Sequence, residues 1–216
     1  GIADESVRPR VEAKLKELGV PQEAVIIEVW GPVKPLSHTL QSAVRPVDAG
    51  VRIYNELKGT FCTYGFTVLL NGVLGMITNY HCTNTWGFVN GDKFHQPSRV
   101  DATNYVGPET IDPAFFDRTR DSRCPSGSRC RYSDSAFVQS SGNLTLNRGY
   151  IARPISGSIN IDHQNPRFRI TATGSPLVGE VVNKVGQKSG WTSGGGANTP
   201  PPFSKGRKAS EEFAYF

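Results

Sequence analysis

Apolar positions recur at two different periods along this chain, a helical one confined to the N-terminal stretch and a short-strand one from the middle onward. Between Val7 and Leu18, Val11, Leu15 and Leu18 stand at helical spacing among charged residues, with Gly19 in the position of a C-terminal stop. A short amphipathic helix is predicted there. Ala24 to Trp30 is rich in Val and Ile and predicts a buried strand. From Pro32 to Asn55 the text turns Pro-rich and irregular, with a connector at Pro35 to Ser42, and places a domain boundary near residue 50.

From Cys62 onward short β runs dominate. Thr63 to Leu70 and Val73 to Asn79 flank Asn71-Gly72, the strongest short hairpin signal, and the hairpin ends next to His81. Further strands are predicted at Ser135 to Gln139, Tyr150 to Ile155, Ser158 to Ile161, Phe168 to Thr173 and Glu180 to Val185, at intervals typical of an all-β barrel or sandwich. Ser193 to Phe216 opens on glycines, runs through three prolines and has no usable apolar period, so it reads as a disordered tail.

Composition changes this picture little. The 23 glycines and 15 prolines suit a loop-rich β protein, and 24 Lys and Arg against 19 Asp and Glu give a net charge of +5. The basic residues are spread along the chain without a dense block, so no nucleic-acid partner is expected. The longest apolar stretch, Phe66 to Met76, is broken by Asn71, Gly72 and Gly75, so no membrane segment is expected either. The four cysteines, Cys62, Cys82, Cys124 and Cys130, form no C-x-x-C pair, and the histidines lack zinc spacing. Disulfides are the better reading, and with them an oxidising, extracellular compartment. Of the three possible pairings, the nearest-neighbour scheme closes two short loops. No metal or organic cofactor is implied.

Two residues have the setting of catalytic groups. His81 follows an apolar strand and precedes Cys82, a position in which an imidazole can be held rigidly. Fifty-three residues on, from 81 to 134, Asp134 precedes a small residue and an apolar run. A carboxylate so placed tends to be buried, and an imidazole N–H would pair with it. Taken alone, each residue fits a structural role better: a partly buried loop histidine and a strand-capping aspartate.

Together the segments Thr78-Asn79-Tyr80-His81-Cys82 and Asp134-Ser135-Ala136-Phe137 resemble the T-A-x-H-C and D-x-A-L contexts of the chymotrypsin-like, or trypsin-like, serine proteases, whose triad runs His, Asp, Ser along the chain. The resemblance implies that His81 is the proton acceptor and Asp134 the orienting acid. It also implies a Cys62 to Cys82 disulfide beside the histidine. Cys124 to Cys130 followed by Arg131-Tyr132-Ser133-Asp134 is similar to bacterial secreted members, and Val182 to Thr192 is similar to the first strand of the family's second barrel.

The likeness covers about residues 60 to 192, and no Gly-Asp-Ser-Gly-Gly occurs in the 216 residues. The resemblance therefore implies a chymotrypsin-like barrel plus the first strand of a second, belonging to a serine endopeptidase that acts on polypeptides. It also implies truncation or a shift of frame after Thr192, with the chain inactive as it stands. The alternative expectation is a single-barrel binding module without catalysis. Residues 1 to 50 are read as a possible pro-region.

Overall fold

The computed structural model describes residues 2, 4–29, 38–99, 102–174, 179–195 and 214–215. The chain divides into two compact units, Gly1–Ser37 and His38–Phe216. The division falls some dozen residues before the boundary placed near residue 50, because residues 38–50 are committed to the larger unit. Leu40 N donates to Ile159 O, and Val47 N donates to Thr145 O, both at 2.8 Å.

In the smaller unit the helix forms where the apolar spacing puts it, as α1 (Arg8–Glu17). Gly19, at φ 70°, ends it in the left-handed region that glycine adopts without steric cost. The strand expected at Ala24 to Trp30 does not form over residues 24–29, and Trp30 lies outside the described residues. Gln22–Ala24 is a 3₁₀ turn, and Val29 makes a single bridge to Ile2. Val and Ile favour strands only against a neighbouring strand, and here Ile26 is left 86% exposed.

The larger unit is all-β. In chain order its strands are β1 (Val47–Ala49), β2 (Arg52–Asn55), β3 (Thr60–Thr63), β4 (Phe66–Leu70), β5 (Val73–Thr78), β6 (Lys93–His95), β7 (Tyr105–Ile111), β8 (Ala136–Gln139), β9 (Leu146–Ala152), β10 (Arg167–Arg169), β11 (Val181–Gly186), β12 (Gly190–Gly195) and β13 (Ala214–Tyr215). Seven of them form one sheet in the order β3-β2-β6-β7-β8-β5-β4, every neighbour antiparallel. Its two outer strands are consecutive in the chain and separated by only Tyr64 and Gly65, so the sheet has to curl until its edges meet at that corner. Tyr64 N donates to Val51 O on one side of the corner and Gly65 N to Ile77 O on the other. Counted as one bent strand, β3 and β4 bring the two sides of the curled sheet together as a six-stranded barrel. Only glycine fits the bend: a Cβ on Gly65 would lie 2.4 Å from the Ile77 carbonyl oxygen.

The inward positions fill the barrel with Val51, Ile53, Tyr64, Met76, Phe94, Val106 and Val138, all fully buried. The Asn71-Gly72 turn has φ values of 51° and 82°, the pair of positive angles that a two-residue hairpin needs. β5 then runs antiparallel to β8 with Thr78 opposite Ala136. This register sets the end of β5 against the start of β8, and His81 and Asp134 lie just beyond those ends.

Outside the barrel, β1, β9 and β10 form a small mixed sheet, and β11 pairs with β12 and β13. Ser158 to Ile161, expected as a strand, is a turn with two isolated bridges. β12 continues through Ser193 to Gly195, three residues into the expected tail, and β13 also falls within it; the remainder of that stretch lies outside the described residues. Val185 of β11 belongs to the barrel core, so the hairpin docks on it. The fold is all-β with a short N-terminal helix, as the sequence patterns indicate.

Candidate functional site

His81 occupies the middle of a 3₁₀ turn, Tyr80–Cys82, that follows β5. The turn is fastened from several sides. Cys82 is bonded to Cys62 of β3, with Cα atoms 6.1 Å apart. Asn55 Nδ2 donates to Cys82 O at 2.9 Å, and the Lys58 ammonium donates to the His81 and Thr83 carbonyls. An imidazole mounted on such a turn has little freedom in its backbone.

Asp134 approaches from the segment before β8. Its Oδ2 lies 3.1 Å from His81 Nδ1, and its Oδ1 accepts from Tyr80 N at 3.0 Å. Asn79 Nδ2 adds a third contact to the carboxylate, donating to Oδ2 at 3.2 Å. Burial works to raise the Asp134 pKa, but the pairing with His81, the Asn79 amide and the Tyr80 N–H together hold it below the usual carboxylate range. The carboxylate therefore stays ionised at neutral pH and faces the imidazole. Both side chains keep about a quarter of their surface in solvent, 23% for His81 and 27% for Asp134.

The structure thus brings together the two residues that the sequence singles out. The four cysteines pair as Cys62–Cys82 and Cys124–Cys130, the nearest-neighbour scheme. The other histidines lie elsewhere. His95 is buried on β6 with Nε2 2.9 Å from Glu56 Oε2, an arrangement that ties β6 to the loop after β2.

Several groups around the pair were not legible as a site. Arg131 and Asp112 form an ion pair whose side chains are 1% and 0% exposed. The Arg131 guanidinium also lies over the Tyr80 ring, 3.9 Å from its centre. Further in, Asp92 and Glu109 are both 1% exposed. Glu109 N donates to Asp92 O, and the adjoining register pairs Lys93 with Pro108, so the two acids stand opposite each other across β6 and β7. Burial pushes the Glu109 carboxyl up to about 7; the Asn90 N–H opposes the rise, the Asp92 and Asp112 charges add to it, and Arg131 lowers it. The sequence marks Arg131 only by its place between Cys130 and Asp134. The acids carry no signal, since their burial results from closure of the barrel.

Beside the pair lies an open depression of about 670 Å³ lined by Tyr80, Asn84, Thr85, Trp86, Phe115, Ser128 and Arg129. Trp86 remains 51% exposed, and the Arg129 guanidinium stacks 4.8 Å from the Phe115 ring centre. Among the described residues no group of three His, Cys, Asp or Glu side chains is placed to hold a metal ion, and no helix is long and apolar enough to cross a membrane.

No protein-family signature and no curated protein sequence matches the chain. Among solved structures, it is similar to Thermobifida fusca protease A, with a TM-score of 0.42 and 15% identity over 69% of this chain and 58% of that one. It is also similar to the Nocardiopsis protease, with a TM-score of 0.43 and 19% identity over 69% of this chain and 59% of that one. The chain therefore spans less than two thirds of the length of either.

Proposed function

We propose that residues 38–195 are the acid–base half of a chymotrypsin-like serine endopeptidase. The observation that carries this reading is the 3.1 Å approach of His81 Nδ1 to an Asp134 carboxylate that Tyr80 N and Asn79 hold in place. With Nδ1 turned to the carboxylate, Nε2 is the atom that accepts the proton of a serine hydroxyl and later returns it to the leaving amine. Asp134 fixes the tautomer and stabilises the imidazolium that forms between these steps. The depressed pKa of Asp134 suits that role, because the acid has to stay charged.

The nucleophile, the oxyanion donors and the pocket for the substrate side chain belong, in this reading, to a Gly-Asp-Ser-Gly-Gly segment that these 216 residues do not contain. Removing the nucleophile of a serine protease costs about a million-fold in kcat. The 216-residue chain by itself is therefore expected to hydrolyse peptide or ester substrates no faster than its His81→Ala variant. Faster turnover by the unaltered chain would place a nucleophile within it.

The substrate is a polypeptide, for which the aromatic depression beside His81 offers contact surface. The two disulfides support an oxidising, extracellular setting. Residues 1–37, compact on their own, are the candidate pro-region.

The closed barrel with its exposed Trp86 and Phe88 also suits a second reading, a binding module without catalysis. Behaviour in solution separates the two. A chain that stays monomeric at high concentration favours the module, whereas aggregation relieved by adding a second barrel favours the peptidase half.

A further inference from the structure

The sequence Arg131-Tyr132-Ser133-Asp134 sets a buried guanidinium three residues before the acid of the pair, and the fold gives that guanidinium contacts on both sides of the site. Arg131 Nη2 donates to Asp112 Oδ1 and, at 3.3 Å, to the carbonyl of Ser135, the residue that follows Asp134. The flat face of the guanidinium lies 3.9 Å from the centre of the Tyr80 ring, the residue that precedes His81. Tyr80 in turn donates its backbone N–H to Asp134 Oδ1. One side chain therefore touches the neighbours of both His81 and Asp134 while touching neither of the two directly in these contacts.

The guanidinium is itself fixed. Cys130, immediately before it, is bonded to Cys124 and exchanges backbone hydrogen bonds with Phe116 at 2.9 and 2.7 Å. Tyr132, immediately after it, stacks on Phe116 with ring centres 4.5 Å apart and donates its hydroxyl to Asp121 at 3.0 Å. Asp112 is held from its other oxygen by Gly87 N at 2.6 Å. The Cys124–Cys130 loop thus acts as the mount, Arg131 as the clamp, and Tyr80 and Ser135 as the clamped segments.

We propose that Arg131 is a positioning residue for the His81–Asp134 pair, setting the distance between the turn that carries the imidazole and the strand entry that carries the carboxylate. The proposal rests on the reading of His81 and Asp134 as an acid–base pair. It requires the shape of arginine as well as its charge, because the contact with Tyr80 uses the planar face while Nη2 alone meets both Asp112 and Ser135. Lysine keeps the charge for Asp112 but lacks the planar face that lies over the Tyr80 ring.

The test is the tautomer of neutral His81, read from the ¹⁵N shifts of its ring nitrogens in the full chain, in the native protein and in the Arg131→Lys, Tyr80→Leu and Asp134→Asn variants. In the native protein the proton is expected on Nδ1, facing the carboxylate. Arg131→Lys is expected to lower the ratio of the Nδ1–H to the Nε2–H form about tenfold, as loss of a buried guanidinium–ring contact does. Tyr80→Leu, which leaves Arg131 and its ion pair in place but removes the stacked ring, is expected to shift the ratio in the same direction, and it stands in should the lysine variant fail to fold. If Asp134→Asn abolishes the native preference while both other variants leave it intact, Arg131 is structural only and the proposal falls. If Asp134→Asn itself leaves the ratio unchanged, the underlying reading of the pair falls with it.

Discussion

Glu109→Gln is expected to stabilise the protein at pH 8 by about 3 kcal/mol and to change its stability little near pH 4.5, a difference that urea unfolding of the two proteins at both pH values measures. The sign follows from the direction of the shift. Glu109 titrates at about 7 in the folded protein against an ordinary value of 4.5, chiefly because it is buried. Between those values the folded state holds a proton that the unfolded state has released, so stability falls as the pH rises through this window. Above 7 the full cost is present, and below 4.5 it is gone. Its partner across the strands, Asp92, makes the charged state worse, because like charges directly opposite in an antiparallel pair repel. Glutamine keeps an oxygen for the Asn90 N–H, which now reaches Glu109 Oε2 at 3.4 Å, and removes the charge. Equal stability of the two proteins at pH 8 would show that Glu109 is not strained by its burial.

Asp112→Ala is expected to cost more, about 3–5 kcal/mol, because it leaves the Arg131 guanidinium buried without its counter-charge. Removing both partners should cost less than removing one. In Asp112→Leu combined with Arg131→Met, no charge has to be desolvated, and side chains of similar volume fill the space between Tyr80, Phe115 and Ser135. Unfolding in urea of the single and double variants gives the coupling directly. A loss below about 1 kcal/mol in Asp112→Ala would mean that solvent reaches Arg131 and that the pair behaves as a surface one.

The sequence makes the centre of the site legible because two local patterns coincide with one element of topology. Asn71-Gly72 announces the hairpin of β4 and β5, and the apolar run from Ala136 announces β8. The antiparallel pairing of β5 with β8 then sets His81 against Asp134. The rest of the barrel is harder to read, for specific reasons. β1 and β2 hide in Pro-rich text, and β1 is buried throughout although its middle residue is Asp48. The charge of Asp48 is met by Arg167 of β10, 119 residues away, at 2.8 Å, a partner that no local pattern reveals. β7 contains Gly107 and Pro108, a combination that ordinarily argues against a central strand. Conversely, Val25, Ile26 and Ile27 have strand composition but pair with no strand among the described residues. Arg131 is visible as the residue that follows the Cys-bounded loop, but its contacts with Tyr80 and Ser135 exist only once the barrel has formed.

The most direct test of the central claim, that His81 and Asp134 are the acid–base pair of a serine endopeptidase, is peptide hydrolysis by this chain joined in frame to a second barrel carrying Gly-Asp-Ser-Gly-Gly. Hydrolysis is expected to appear, to fall about 10⁴-fold with Asp134→Asn and to be lost about 10⁶-fold with His81→Ala. Hydrolysis that proceeds at the same rate with alanine at position 81 would contradict the account.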